Sequence, residues 1–112
     1  MPSTHVPLFH RRSGSGQPIV ILHGLFGSSD NLGSIGKELA TDHEVMLVDQ
    51  RDHGRSPHTD RITYPLMAED VFELLATEGL RDVVLVGHSM GGKTAMRFAQ
   101  LYSGLLKQLV VI

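Results

Sequence analysis

The twelve residues from Val83 to Thr94, VVLVGHSMGGKT, narrow the choice of fold more than any other stretch of the chain. An apolar run of strand character meets a glycine-rich turn with one serine at its apex, and an Ala- and Met-containing stretch of helical character follows. Gly87-x-Ser89-x-Gly91 fits a nucleophile elbow, a strand-to-helix turn so tight that small residues must stand two positions to either side of the serine. Such a turn lifts the Ser89 hydroxyl clear of the sheet. It also aims the first N–H groups of the next helix at whatever the serine attacks, so the helix dipole favours a developing oxyanion.

The same residues satisfy a second pattern. Gly87 to Thr94 also matches G-x-x-x-x-G-K-[ST], the phosphate-cradling loop in which Lys93 reaches the β- and γ-phosphates and Thr94 the magnesium ion. The apolar run Val45 to Asp49 then stands as the metal-holding strand. A third possibility is a plain strand-to-helix turn with an exposed serine and no chemistry. The local pattern does not separate these, and the order of elements along the chain does.

Val6 to Arg12 reads as a short strand, and Ser13-Gly14-Ser15-Gly16 as a turn that folds it back antiparallel onto the next strand, giving an N-terminal segment and hairpin over residues 1–16. Pro18 to His23, PIVILH, is a branched apolar run without polar alternation, as expected of a strand covered on both faces in a largely parallel sheet. It stops at His23-Gly24-Leu25-Phe26-Gly27, where two glycines let backbone approach a ligand; His23 is expected to be a hydrogen-bonded structural residue. Ser28, Ser29 or Asp30 caps a short helix to about Ala40 with Leu32, Ile35 and Leu39 on one face. Val45 to Val48 is the next buried strand. The polar loop Asp49 to Pro57 after it is either a binding site or a cross-linked loop in which Asp49 and Arg51 brace the sheet, and the second is expected.

Thr63 caps a helix with Met67, Val71, Leu74 and Leu75 on one face, closed by Gly79. Asp82 to Val86 feeds the serine turn, and Met90 to Tyr102 forms its helix, with Ala95, Phe98, Ala99 and Tyr102 on one face and Gly104 as a stop. Leu106 to Ile112 is a further strand. Alternating strands and helices imply right-handed crossovers and a doubly wound, mostly parallel sheet, an α/β class. A phosphate loop normally follows the first strand of its domain, whereas this serine turn follows the third clear one. That order suits a hydrolase.

Composition narrows the rest. A net charge of −2 with scattered basic residues offers nucleic acid no footing. The absence of cysteine excludes disulfides, thiolate zinc sites and a cysteine nucleophile. Met1 to Arg12 has no apolar core of signal-peptide length, so an unexported, cytoplasmic protein is expected, in a bacterial cytosol ahead of an organellar matrix, with no membrane partner.

Taken together, His23-Gly24-Leu25-Phe26-Gly27-Ser28, Asn31-Leu32, Asp49-x-Arg51-x-His53-Gly54-x-Ser56, Tyr64-Pro65 and Gly87-His88-Ser89-Met90-Gly91-Gly92-Lys93 resemble the α/β-hydrolase superfamily, and within it the small acyl esterase and thioesterase branch. The match runs from about residue 17 to the C-terminus. The resemblance implies that Ser89 is the catalytic nucleophile and that the N–H groups of Met90 and of Leu25 or Phe26 form the oxyanion hole. His23, Gly24, Gly87, His88 and Gly91 shape and support the turn. It further implies a small acyl ester or thioester substrate, an acyl-serine intermediate, and neither metal nor organic cofactor.

One departure carries its own expectations. The family presents its triad in the order Ser, Asp or Glu, His, yet residues 90–112 contain no Asp, Glu or His, and the seven histidines lie at 5, 10, 23, 43, 53, 58 and 88. The chain therefore reads as the N-terminal half of a hydrolase domain, residues 17–112, truncated after the strand that follows the elbow helix. By itself it is expected to be inactive or dependent on a partner, with neither His53 nor His58 replacing the missing base. Its uncharged, β-branched end, Leu109 to Ile112, is expected to self-associate edge to edge.

Overall fold

A computed structural model describes residues 5–112. Five strands, β1 (His10–Ser13), β2 (Pro18–Leu22), β3 (Glu44–Val48), β4 (Val83–Gly87) and β5 (Leu106–Val111), form one sheet in the order β1-β3-β2-β4-β5. All neighbours are parallel except β1, which runs antiparallel to β3. Three helices, α1 (Gly33–Leu39), α2 (Tyr64–Glu78) and α3 (Met90–Tyr102), supply the crossovers. The doubly wound α/β architecture is the one the sequence implies.

The unalternating strands have two buried faces because successive side chains point to opposite sides. Val20, Leu22, Met46 and Val48 pack with Val71 and Leu75 of α2 and Ala95 and Phe98 of α3. Ile19, Ile21, Val45 and Leu47 pack on the other side with Leu32 and Leu39. Helix α2 begins where the Thr63 hydroxyl accepts the Leu66 N–H at 3.2 Å, and ends at Gly79 in the left-handed region, φ 68°. Both ends fall where the capping residues place them.

Two local expectations are corrected. The first strand does not fold back onto β2. Both edges of β2 are already taken by β3 and β4, so β1 pairs instead with the free edge of β3, His10 opposite Val48. Nor does Ile35 join the apolar face of α1: it is 50% exposed. Ser28 and Asn31 form a capping box on a 3-10 turn, Ser29–Leu32, and α1 starts only at Gly33, which changes the phase of the face. Gly36 then meets the sheet, where an added Cβ would stand 2.9 Å from Leu47 Cδ1.

Strand β5 is an edge of the sheet, with Leu109 and Val111 exposed. Among the described residues, no helix is long and apolar enough to cross a membrane.

Candidate active site

The turn after β4 is built by contacts that only glycine allows. A Cβ on Gly87 would stand 2.6 Å from Gly92 Cα and overlap the Gly91 carbonyl; one on Gly91 would stand 2.6 Å from the His23 oxygen and overlap the Leu22 carbonyl. The start of α3 is thereby pressed directly onto the end of β2. Only His88 and Ser89 separate strand from helix, and Ser89 takes φ 54°, ψ −113°, a positive φ that costs a non-glycine residue of order 1–3 kcal/mol. Main-chain bonds hold the turn: His88 N–H donates to Leu22 O at 3.0 Å, Ser89 N–H to Ile112 O at 2.9 Å, and Ile112 N–H to Gly87 O at 2.9 Å. The exposed Ser89 side chain does not cap α3, and no described residue hydrogen-bonds it.

The glycine loop after β2 stands against this turn. A Cβ on Gly24 would lie 3.4 Å from Ser89 Cβ and 3.2 Å from His88 Nδ1. Gly27 N–H closes the loop onto Gly24 O at 3.0 Å, and Phe26 adopts φ 62°. The N–H groups of Leu25, Phe26 and Met90 have no acceptor among the described residues, and the Leu25 and Phe26 side chains are exposed. Loop and helix start thus present unpaired donors beside the serine.

His23 anchors the loop, as expected of a structural histidine. Its Nε2 accepts the Gln50 N–H at 3.0 Å, which leaves Nδ1–H to donate to Gly24 O at 2.7 Å. The Gln50 amide also donates to His23 O at 2.9 Å and accepts from the Thr94 hydroxyl at 2.8 Å, so one side chain ties the loop to α3. Gln50 was not singled out by the sequence. Its strand-end position after β3 was the available signal.

Asp49 and Arg51 brace the same edge. The Asp49 carboxylate accepts Ser29 N–H at 2.6 Å and Arg55 N–H at 2.9 Å. Burial alone would raise its pKa, but these donors outweigh burial and hold it below the ordinary value. Arg51 is paired with Asp70, a partner that sequence reasoning missed. His53 is buried, with Nδ1 2.8 Å from Arg51 O.

The phosphate-loop alternative is corrected by this geometry. Lys93 and Thr94 lie in the first turns of α3, Lys93 exposed and Thr94 buried on Gln50. Where a phosphate loop would curl round an anion, there are two residues, with Gly91 N–H already donating to His88 O at 2.9 Å.

Burial holds the His23 pKa below the ordinary histidine value. Just below that value His23 binds fewer protons in the folded than in the unfolded chain, so its contribution to stability is complete above about pH 6.5 and is lost as pH falls through the window beneath it. Urea melts are expected to show a slope of up to ~1.4 kcal/mol per pH unit there. His23→Gln should flatten it, and a slope unchanged by that substitution would count against the neutral, buried assignment.

The model of the alpha/beta hydrolase fold family matches residues 17–112. The chain is 44% identical over 95 residues to the Escherichia coli esterase YbfF, covering 85% of this chain and 37% of that protein. It is 46% identical over 102 residues to the sn-1-specific diacylglycerol lipase ABHD11 of Xenopus tropicalis, covering 89% and 32%. A solved marine microorganism esterase superposes with a TM-score of 0.93 at 50% identity, over 95% of this chain and 41% of that one. The chain spans about a third of the length of these curated relatives.

Proposed function

This chain belongs to the alpha/beta hydrolase fold family, and from that membership we propose that it carries the nucleophile and oxyanion hole for hydrolysis of a carboxylic ester or thioester. Ser89 Oγ attacks the acyl carbon and the ester C–O or thioester C–S bond breaks. The serine proton passes through solvent to the departing oxygen or sulfur. Water then cleaves the acyl-serine and releases the acid. Backbone N–H groups of Met90 and of Leu25 or Phe26 receive the negative charge of each tetrahedral intermediate. The observation that carries this reading is the exposed Ser89 at positive φ, set between the unpaired N–H groups of the Gly24–Gly27 loop and of the start of α3.

The same hydroxyl favours a second, narrower reading, in which the chain accepts an acyl group but turns over slowly unless a partner assists. Among the described residues no side chain accepts from the Ser89 hydroxyl, and binding and the hole alone supply ~10³–10⁴-fold over water, so a base brought to Ser89 by a partner would raise the rate above that.

Covalent capture tests the reading without requiring turnover. An alkyl phosphonofluoridate is expected to leave one adduct, on the peptide containing Ser89, as the Oγ–P bond forms, fluoride departs and the proton goes to water. Ser89→Ala should carry no adduct. Equal modification of other serines, or none of Ser89, would overturn it.

A further inference from the structure

Two grooves open on either side of the Gly24–Phe26 loop, and they differ in chemistry. One, of about 220 Å³, is lined by Leu25, Ile62, Thr63, Tyr64, Met67 and Met90. It lies toward the start of α2, on the side of the sheet that α2 and α3 cover. The other, of about 280 Å³, lies toward the Ser29–Leu32 turn; Leu25, Phe26 and Leu32 line it as well, but it adds three polar side chains, His23, Asn31 and His88, that the first groove lacks. The two chain neighbours of Ser89 line one groove each, Met90 the first and His88 the second.

A tetrahedral carbon on Ser89 has four substituents: the serine oxygen, the oxyanion, the acyl chain and the leaving group. With the oxyanion in the hole, the last two must part to opposite sides. The leaving atom gains a proton as its bond breaks, which needs polar, water-accessible surroundings. The acyl chain changes no bond and gains most where water is displaced from apolar surface. We infer that the groove between the start of α2 and the start of α3 is the acyl-chain subsite, selecting straight chains of medium length, with Ile62 and Tyr64 as its outer wall.

Its size sets the length. A cavity of about 150 Å³ holds the six carbons of benzene, so a groove of about 220 Å³ takes a chain of roughly six to eight carbons. Each fully buried methylene is worth about a fourfold gain, and one buried by half about twofold. Ile62 is 47% and Tyr64 36% exposed, so the groove is open along one side and the lower figure applies.

The inference rests on Ser89 as nucleophile, and two measurements keep the claims separable. Second-order labelling by phosphonofluoridates whose P-alkyl arm runs from ethyl to decyl is expected to rise roughly fifteenfold between ethyl and hexyl and then level off. Ile62→Trp, which fills the groove, should reduce that ratio to less than about threefold. Rates independent of chain length, or a ratio untouched by Ile62→Trp, would overturn the subsite while leaving Ser89 as nucleophile. In the second measurement nothing reacts: N-methylhexanamide titrated into methyl-labelled protein should shift the resonances of Ile62, Met67 and Met90 and leave Leu32 in place. Shifts at Leu32 without Ile62 would place the chain in the other groove and overturn the assignment. Failure of every reagent to label Ser89 overturns both the serine reading and the subsite built on it.

Discussion

Asp70→Ala is expected to lower the unfolding free energy by about 3–5 kcal/mol, the usual cost of leaving half of a buried ion pair behind. The side chains of Arg51 and Asp70 are 2% and 1% exposed, with Arg51 Nε donating to Asp70 Oδ2 at 2.7 Å and Nη2 to Oδ1 at 3.0 Å. Asp70 Oδ1 also accepts the Val6 N–H at 2.9 Å, and Arg51 Nη1 donates to Arg61 O at 2.9 Å, so the pair ties the N-terminal segment and the loop before α2 to the end of β3. Without the carboxylate, a guanidinium stays buried among groups placed to complete that pair. Changing both partners to apolar residues, Arg51→Met with Asp70→Leu, removes charge and countercharge together and should cost much less than either single change. Urea unfolding of the unsubstituted protein, Arg51→Met, Asp70→Leu and the double variant gives the coupling directly. A loss under about 1 kcal/mol for Asp70→Ala would place the pair with exposed salt bridges of little value.

That pair also shows where sequence legibility stops. Periodicity and turn chemistry are local, so β2, β3, α2 and α3 could be placed from the unalternating runs PIVILH and VMLV, the Thr63 cap and Gly79, and the apolar face of Met90–Tyr102. Asp70 lies on α2, 19 positions from Arg51, and no local pattern joins them. Gln50 is hidden for the same reason: its partners, His23 and Thr94, come from other elements. The partner of β1 depended on which edges the central strands left free, a property of the assembled sheet. Within the site, Gly24 and Gly27 were read as letting backbone approach a ligand; in the structure Gly24 lies close to His88 and Ser89, and the positive φ of the loop falls on Phe26. A turn that demands φ above zero at its third residue normally selects Gly or Asn, so an exposed phenylalanine there gave no signal.

The glycines of the serine turn give the other large expected effect. In an exposed helix, Gly→Ala is favourable by about 1 kcal/mol, and α3 contains Gly91 within its first turn. Gly91→Ala is nevertheless expected to destabilise, because its Cβ would meet main-chain atoms at the end of β2: it would overlap the Leu22 carbonyl and stand 2.6 Å from the His23 oxygen. Backbone in a buried central strand cannot rotate aside as a side-chain terminus can, so α3 must lift from the sheet. Overpacking of this kind costs about 1–3 kcal/mol and exceeds the propensity gain. The site should suffer more than the fold. Lifting α3 moves Ser89 and the Met90 N–H away from the Gly24–Phe26 loop, and a misplacement of about 1 Å costs on the order of 10²-fold in rate. Phosphonofluoridate labelling of Ser89 should therefore fall by about that factor, with the change in urea midpoint measured in parallel. Gly33→Ala is the matched control: it lies at the start of α1, φ −57°, with nothing within 4 Å of an added Cβ. It should leave labelling unchanged and stability unchanged or slightly higher. If Gly91→Ala behaves like Gly33→Ala in both measurements, the close contact between α3 and β2 is not what fixes the serine.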